Sequence, residues 1–215
     1  MRVDKDIIEM VIDISNEKNV RKYLTRMLKY STSLYEHSLN VGFFSTQIGY
    51  ELGLRGEKLE LLCKGALLHD LGMISVPKKI VEKKGKLTRE EEERVKEHPS
   101  VSALTLRQNG FSEEVVEIAM FHHVKPNGEG YPTQEGVPSL SLLTMIVTAC
   151  DEYNAIISER PYKDRTTYSD ALIELINEAK DGKLNIWIVE NIVTNVLHLI
   201  TNMQSIEEIR KRIRK

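Results

Sequence analysis

A chain of 215 residues, 41% of them hydrophobic and 29% charged, has enough apolar material for one domain with a real core and too little for a membrane protein. Its net charge of −2 argues against a general nucleic-acid binder, so DNA is not an expected partner. No window reaches about 18 unbroken apolar residues, the opening Met1-Arg2-Val3-Asp4-Lys5 lacks the apolar centre of a signal peptide, and Cys63 and Cys150 sit in apolar helical rows, so the sequence predicts a cytoplasmic protein without disulfides.

Helical periodicity dominates the chain, and no segment alternates with period two. Residues 4–15 read as an amphipathic helix with Ile7, Ile8, Val11 and Ile12 inward, and residues 19–30 as a second, with Val20, Leu24, Met27 and Leu28 on one side. A longer helix over 32–52 carries Leu34, His37, Val41, Phe44 and Ile48 on one face. The next helix runs to His69-Asp70, where Gly72 is expected to end it in the left-handed conformation. Lys78 to Val81 forms a short turn and Lys83 to Lys86 a basic loop. Thr88 and Glu91 form a capping box, opening a helix predicted to pass through His98 and end near Gln108. The helix after Ser112 ends in His122-His123. Glycines and prolines between Val124 and Pro138 forbid a helix there. An apolar helix from Leu140 to Ile157, interrupted by Asp151, and helices over 168–180 and 186–211 complete an all-α chain. Trp187 and His198 read as structural residues, and the terminal Arg210 to Lys215 as cations favourable at a helix C-terminus.

The chemistry lies in side chains that interrupt these apolar rows. His69 continues the row Leu62–Ala66, His37 falls in the stripe with Val41, and His122 and His123 each prolong a row of their own helix. Asp151 breaks an apolar run, where an unpaired carboxylate would cost several kcal/mol. One such histidine is ordinary core furniture; five histidines and two aspartates placed this way suggest transition-metal ligands. Seven ligands exceed the four of a closed zinc site, which suits two ions bridged by a carboxylate such as Asp70. Such a pair would hold a hydroxide and clamp a phosphoryl oxygen.

The ordered landmarks His69-Asp70-Leu71-Gly72, Val76-Pro77, Lys84 to Thr88, Glu91, His98-Pro99, His122-His123, Gly128-Glu129-Gly130-Tyr131-Pro132, Val137-Pro138, Asp151 and Arg160-Pro161-Tyr162 resemble the HD-GYP subfamily of HD-superfamily metal-dependent phosphohydrolases. The resemblance covers residues 31–195 and implies an HD-type helical bundle with an irregular GYP loop. Residues 31–215 would form that domain, and residues 1–30 a helical extension that caps the bundle or serves dimerisation or a protein partner. It further implies hydrolysis of a cyclic dinucleotide, cyclic di-GMP to pGpG or GMP, with some members preferring a mixed cyclic GMP-AMP. The implied metal ligands are His37, His69, Asp70, His98, His122, His123 and Asp151, holding iron or manganese in preference to nickel or zinc. His69 and Asp70 would be the catalytic pair, with Tyr131, Arg160 and Lys163 contacting substrate.

Five positions depart from the family pattern. Met73 replaces a phosphate-contacting lysine, Val124 a glutamate after the paired histidines, and Asn127 and Asn154 two aspartates. Ser33 stands where some members carry a third-metal glutamate, so two metals are expected. Met73, Val124 and Asn127 motivate a second reading, a metal-containing nucleotide-binding or signalling module with weak catalysis; a third is an HD hydrolase redirected to another nucleotide.

Overall fold

The computed structural model describes residues 5–83, 85–132, 139–158 and 168–196, and among these every regular element is a helix. The order is α1 (Lys5–Asn16), α2 (Lys18–Tyr30), α3 (Thr32–Glu51), α4 (Gly56–Leu68), a 3-10 turn (Leu71–Ser75), α5 (Lys78–Val81), α6 (Arg89–Lys96), α7 (His98–Gln108), α8 (Glu113–Phe121), α9 (Leu142–Ser158) and α10 (Tyr168–Lys180). Residues 186–196 form a further helix, α11.

α3 is the centre of the bundle, packing against α4 and α9. Its small residues set that closeness. A Cβ at Gly42 would come within 2.5 Å of the Leu67 side chain, and one at Gly49 within 2.3 Å of Leu62. α1 and α2 lie on α3 and α4 and share the one core cluster with them through Ile7, Val11, Ile14, Val20, Tyr23, Leu24 and Met27. Cys63 and Cys150 are buried free thiols in this core, and burial pushes both up to about 12.

Four sequence expectations are corrected. In α1 the core takes a single row, Ile7–Val11–Ile14, while Ile8 and Ile12 are exposed, because only one stripe of this helix meets α3 and α4; Leu28 of α2 is exposed likewise. The helix predicted over 88–108 is two helices, α6 and α7, joined at Glu97. Pro99 has no N–H to give the Val95 carbonyl, so the α-helical ladder stops there. Trp187 is 49% exposed, on the outward side of α11, whose inward side is Ile188, Val189 and Ile192.

Gly72 is the fourth. It does not adopt a positive φ and belongs to the 3-10 turn. Glycine is required here by crowding, since a Cβ would stand 2.1 Å from the His98 carbonyl oxygen and 2.8 Å from the Ser102 nitrogen. The Gly72 N–H donates to Ser102 Oγ at 2.7 Å, fastening the turn to α7. The capping box at Thr88 is present, with Thr88 accepting from the Glu91 N–H and Glu91 accepting from the Thr88 N–H.

Candidate metal centre

Three of the histidines stand at helix ends, where the last carbonyls have no helical donor. His69 follows α4 and its Nδ1 donates to the Ala66 carbonyl at 2.8 Å. His122 follows α8 and donates to Ala119 at 3.0 Å. His98 donates to Val95 at 2.6 Å, filling the place that Pro99 leaves open. Each carbonyl lies three residues back, and because a carbonyl only accepts, the ring proton is fixed on Nδ1. Each Nε2 is left with a lone pair, the form in which imidazole binds a metal.

Those lone pairs converge on Asp70. Asp70 Oδ1 lies 3.0 Å from His98 Nε2 and 3.6 Å from His122 Nε2. Asp70 Oδ2 lies 3.6 Å from His37 Nε2 and 3.7 Å from His69 Nε2. One carboxylate thus turns each oxygen to a different histidine pair, as a carboxylate bridging two cations must. Asp151, on α9, places Oδ1 at 3.0 Å from His37 Nε2 and 3.8 Å from His69 Nε2, with Oδ2 at 3.9 Å from His123 Nδ1. Among the described residues, the side chains able to share a metal ion are His37, His69, Asp70, His98, His122, His123 and Asp151. Five elements supply them: α3, α4 with the chain just beyond it, α7, the end of α8, and α9.

The electrostatics call for a cation. His69 is fully buried and its Nε2 has no hydrogen-bond partner. Burial lowers this ring from 6.5 to about 4, against the pull of Asp70. Burial and the neighbouring His122 hold His123 well below its ordinary value. Burial opposes ionisation of both carboxylates, yet His69 and His98 hold Asp70 well below its ordinary value, and His37 and His69 do the same for Asp151. Burial also opposes charge on His98, but Asp70 raises it. The rings of His69 and His123, kept neutral by burial beside two ionised carboxylates, belong to a donor set suited to divalent transition metals.

The loop after His123 closes the site. Gly130 pairs with Val124 in an isolated antiparallel bridge and has φ +98°, and a Cβ there would lie 1.9 Å from the His123 carbonyl oxygen. Asn127 accepts from the Glu129 N–H at 3.1 Å, shaping the turn. Tyr131 is thereby returned to the His/Asp cluster, its ring 4.6 Å from that of His123. Burial, then Asp70 and Asp151, push the Tyr131 phenol up, so it stays protonated.

Arg160, Lys163, His198, residues 133–138 and the terminal basic run lie outside the described residues. Lys83 pairs with Glu91, and Ser33 hydrogen-bonds Ser31 at 2.9 Å. Sequence reasoning missed Ser102, which anchors Gly72, and the Lys125–Glu152 ion pair tying the loop to α9. The Gly after His-Asp was the available signal for the first; nothing in the sequence paired the second.

A helical bundle with a buried His/Asp cluster able to hold metal ions is the class that this fold and site define. A model of the HD domain matches residues 5–185, and the chain belongs to that family, its landmarks being of the HD-GYP type. Curated relatives include a cyclic di-GMP phosphodiesterase, PdeB, of Borreliella burgdorferi, 34% identical over 66% of this chain and 38% of its own length. A second is the cyclic di-GMP phosphodiesterase response regulator RpfG of Xanthomonas campestris, 35% identical over 64% of this chain and 36% of its own. The chain spans well under half the length of these relatives. The HD domain of the L. monocytogenes phosphodiesterase PgpH, solved with cyclic-di-AMP, has the same fold, with TM-score 0.66 at 17% identity over 85% of this chain and 96% of that one. Among the described residues no helix is long and apolar enough to cross a membrane.

Proposed function

We propose that this chain is a metal-dependent phosphodiesterase that hydrolyses a cyclic dinucleotide, cyclic di-GMP foremost, at a centre of two divalent ions, iron or manganese. The observation that carries the reading is Asp70, whose two oxygens face the separate pairs His37–His69 and His98–His122. The relatives named as cyclic di-GMP phosphodiesterases support the substrate class. When bound, the two cations supply Lewis-acid charge at phosphorus and an activated water for in-line attack.

The chain's own groups divide the remaining work. Asp70 and Asp151 would hold the cations and offset their charge. The backbone-locked rings of His69, His98 and His122 hold their lone pairs on target without reorganisation. Tyr131 covers His123 with an apolar face and a neutral hydroxyl, suited to line a groove for a nucleotide. Arg160 and Lys163 are assigned to the substrate phosphates, a guanidinium fork and a mobile ammonium being complementary to a phosphodiester.

The test joins metal analysis to turnover on one sample. Two ions per chain and linearisation of cyclic di-GMP are expected, and the His69→Ala/Asp70→Ala double variant loses both. Full metal content in that variant would falsify the ligand assignment. A second reading, a nucleotide-binding module with weak turnover, is favoured by Met73, which packs against the core, and by buried Val124, since neither offers a phosphate contact. Tight nucleotide binding by the metal-loaded protein without hydrolysis selects it.

A further inference from the structure

His37 differs from the three rings locked by backbone carbonyls. It stands inside α3, where the carbonyl three residues back belongs to the helix's own ladder. Its Nδ1 lies instead 2.7 Å from the side-chain amide nitrogen of Asn154, a residue only 5% exposed. Asn154 is three residues beyond Asp151, on the same face of α9, and Asp151 Oδ1 sits 3.0 Å from the other ring nitrogen, Nε2. Both nitrogens of His37 therefore face α9.

An amide, unlike the carboxylate that the family pattern has at this position, can present either a donor or an acceptor. With the amide nitrogen toward Nδ1, the ring proton belongs on Nε2, where it meets Asp151 Oδ1. A half-turn of the amide keeps every heavy-atom position and presents its oxygen instead. That oxygen accepts Nδ1–H and releases the Nε2 lone pair toward Asp70 and Asp151. A neutral amide oxygen is a weaker acceptor than a carboxylate, roughly by half, so it supports the ring less.

We propose that Asn154 is a positioning residue of the metal centre: its amide turns over to switch His37 from the Nε2–H to the Nδ1–H tautomer. It thereby makes the hold of His37 on the ion of the His37–His69 side depend on which way the amide is turned. The inference rests on the metal-centre reading above.

Zinc, being diamagnetic, is the probe. Histidine-ring 15N spectra of the full chain, stripped by chelator and then zinc-loaded, read the tautomer, with His37 assigned by its loss in His37→Gln. The expected result is Nε2–H in the stripped protein and Nδ1–H in the loaded one. In chelator competition, Asn154→Ala weakens one zinc about 10–100-fold and spares the other. Asn154→Asp, close in size and expected to fold where the alanine variant fails to, tightens that same zinc. If wild type takes two ions but His37 carries Nδ1–H in both states, or both variants leave both affinities unchanged or shift them equally, Asn154 has no such role and the metal centre stands. If wild type takes up no zinc, the metal-centre reading falls and this inference with it.

Discussion

At the scale of single residues, the site is decided by where protons sit. Between pH 6.5 and about 4 the unfolded chain carries protons on positions 69 and 123 that the folded chain refuses. The state that binds more protons gains as pH falls, so these two rings destabilise the fold as acid is added. Each contributes up to about 1.4 kcal/mol per pH unit. His98, raised by Asp70, takes up its extra proton above pH 6.5 and adds no change below it, and Asp70 and Asp151 matter only below their ordinary value of 3.8. Urea midpoints of chelator-treated protein should fall from pH 6.5 to 4.5, and His69→Gln should flatten the slope; an unchanged slope would remove His69 as the source. Met73 makes the other residue-scale prediction. Restoring the family lysine with Met73→Lys adds a charge-assisted contact to phosphate, typically about 1.5–3 kcal/mol. Calorimetry should show cyclic di-GMP binding about tenfold tighter or more, and no gain would mean that position 73 does not face the phosphates.

At the scale of elements, the site depends on how closely the 3-10 turn lies against α7. Gly72→Ala puts a methyl into backbone atoms of His98 and Ser102, which cannot rotate away, so the turn and α7 must separate. Overpacking of this kind costs about 1–3 kcal/mol. It also moves Asp70 and His98 apart, so metal affinity and thermal stability should drop together. Ser102→Ala removes only the Gly72 hydrogen bond, about 1 kcal/mol, and should lower stability while retaining both ions. Equal metal loss in the two variants would contradict the steric account. Legibility in the sequence follows the same division. The Thr88 capping box and the 168–180 helix were readable because their signals are local. The break at Glu97 was missed although Pro99 signalled it, since a proline eleven residues into a helical run leaves the carbonyl four residues back without a donor. Gly72 was assigned a left-handed turn because sequence shows a missing side chain and not the neighbouring backbone that forbids one.

At the scale of the whole molecule, the site is where the helices are tied together. Of the seven candidate ligands, His37, His69, His122, His123 and Asp151 were legible because each interrupts or prolongs an apolar row, while Asp70 and His98 were carried by the family resemblance. Which oxygen of Asp70 faces which pair, and that Asn154 meets His37, depends on how α3, α4, α7 and α9 approach one another, and no local signal encodes that. The same arrangement predicts a global response to metal. Residues 37, 69, 98, 123 and 151 are far apart in the chain and meet only when the bundle is formed, so ions that need all of them bind the folded state alone. Free ion at 100 times its dissociation constant then adds about 2.7 kcal/mol. For a chain of this size that raises the thermal midpoint by roughly 5–10 °C. Scanning calorimetry of stripped and manganese-loaded protein should show the shift as a displacement of one cooperative transition, with α1 and α2 melting along with the rest because they share its core. Asp70→Ala, which removes the proposed shared ligand, should abolish the shift. A metal-dependent midpoint that survives in Asp70→Ala would place the stabilising ion elsewhere in the molecule.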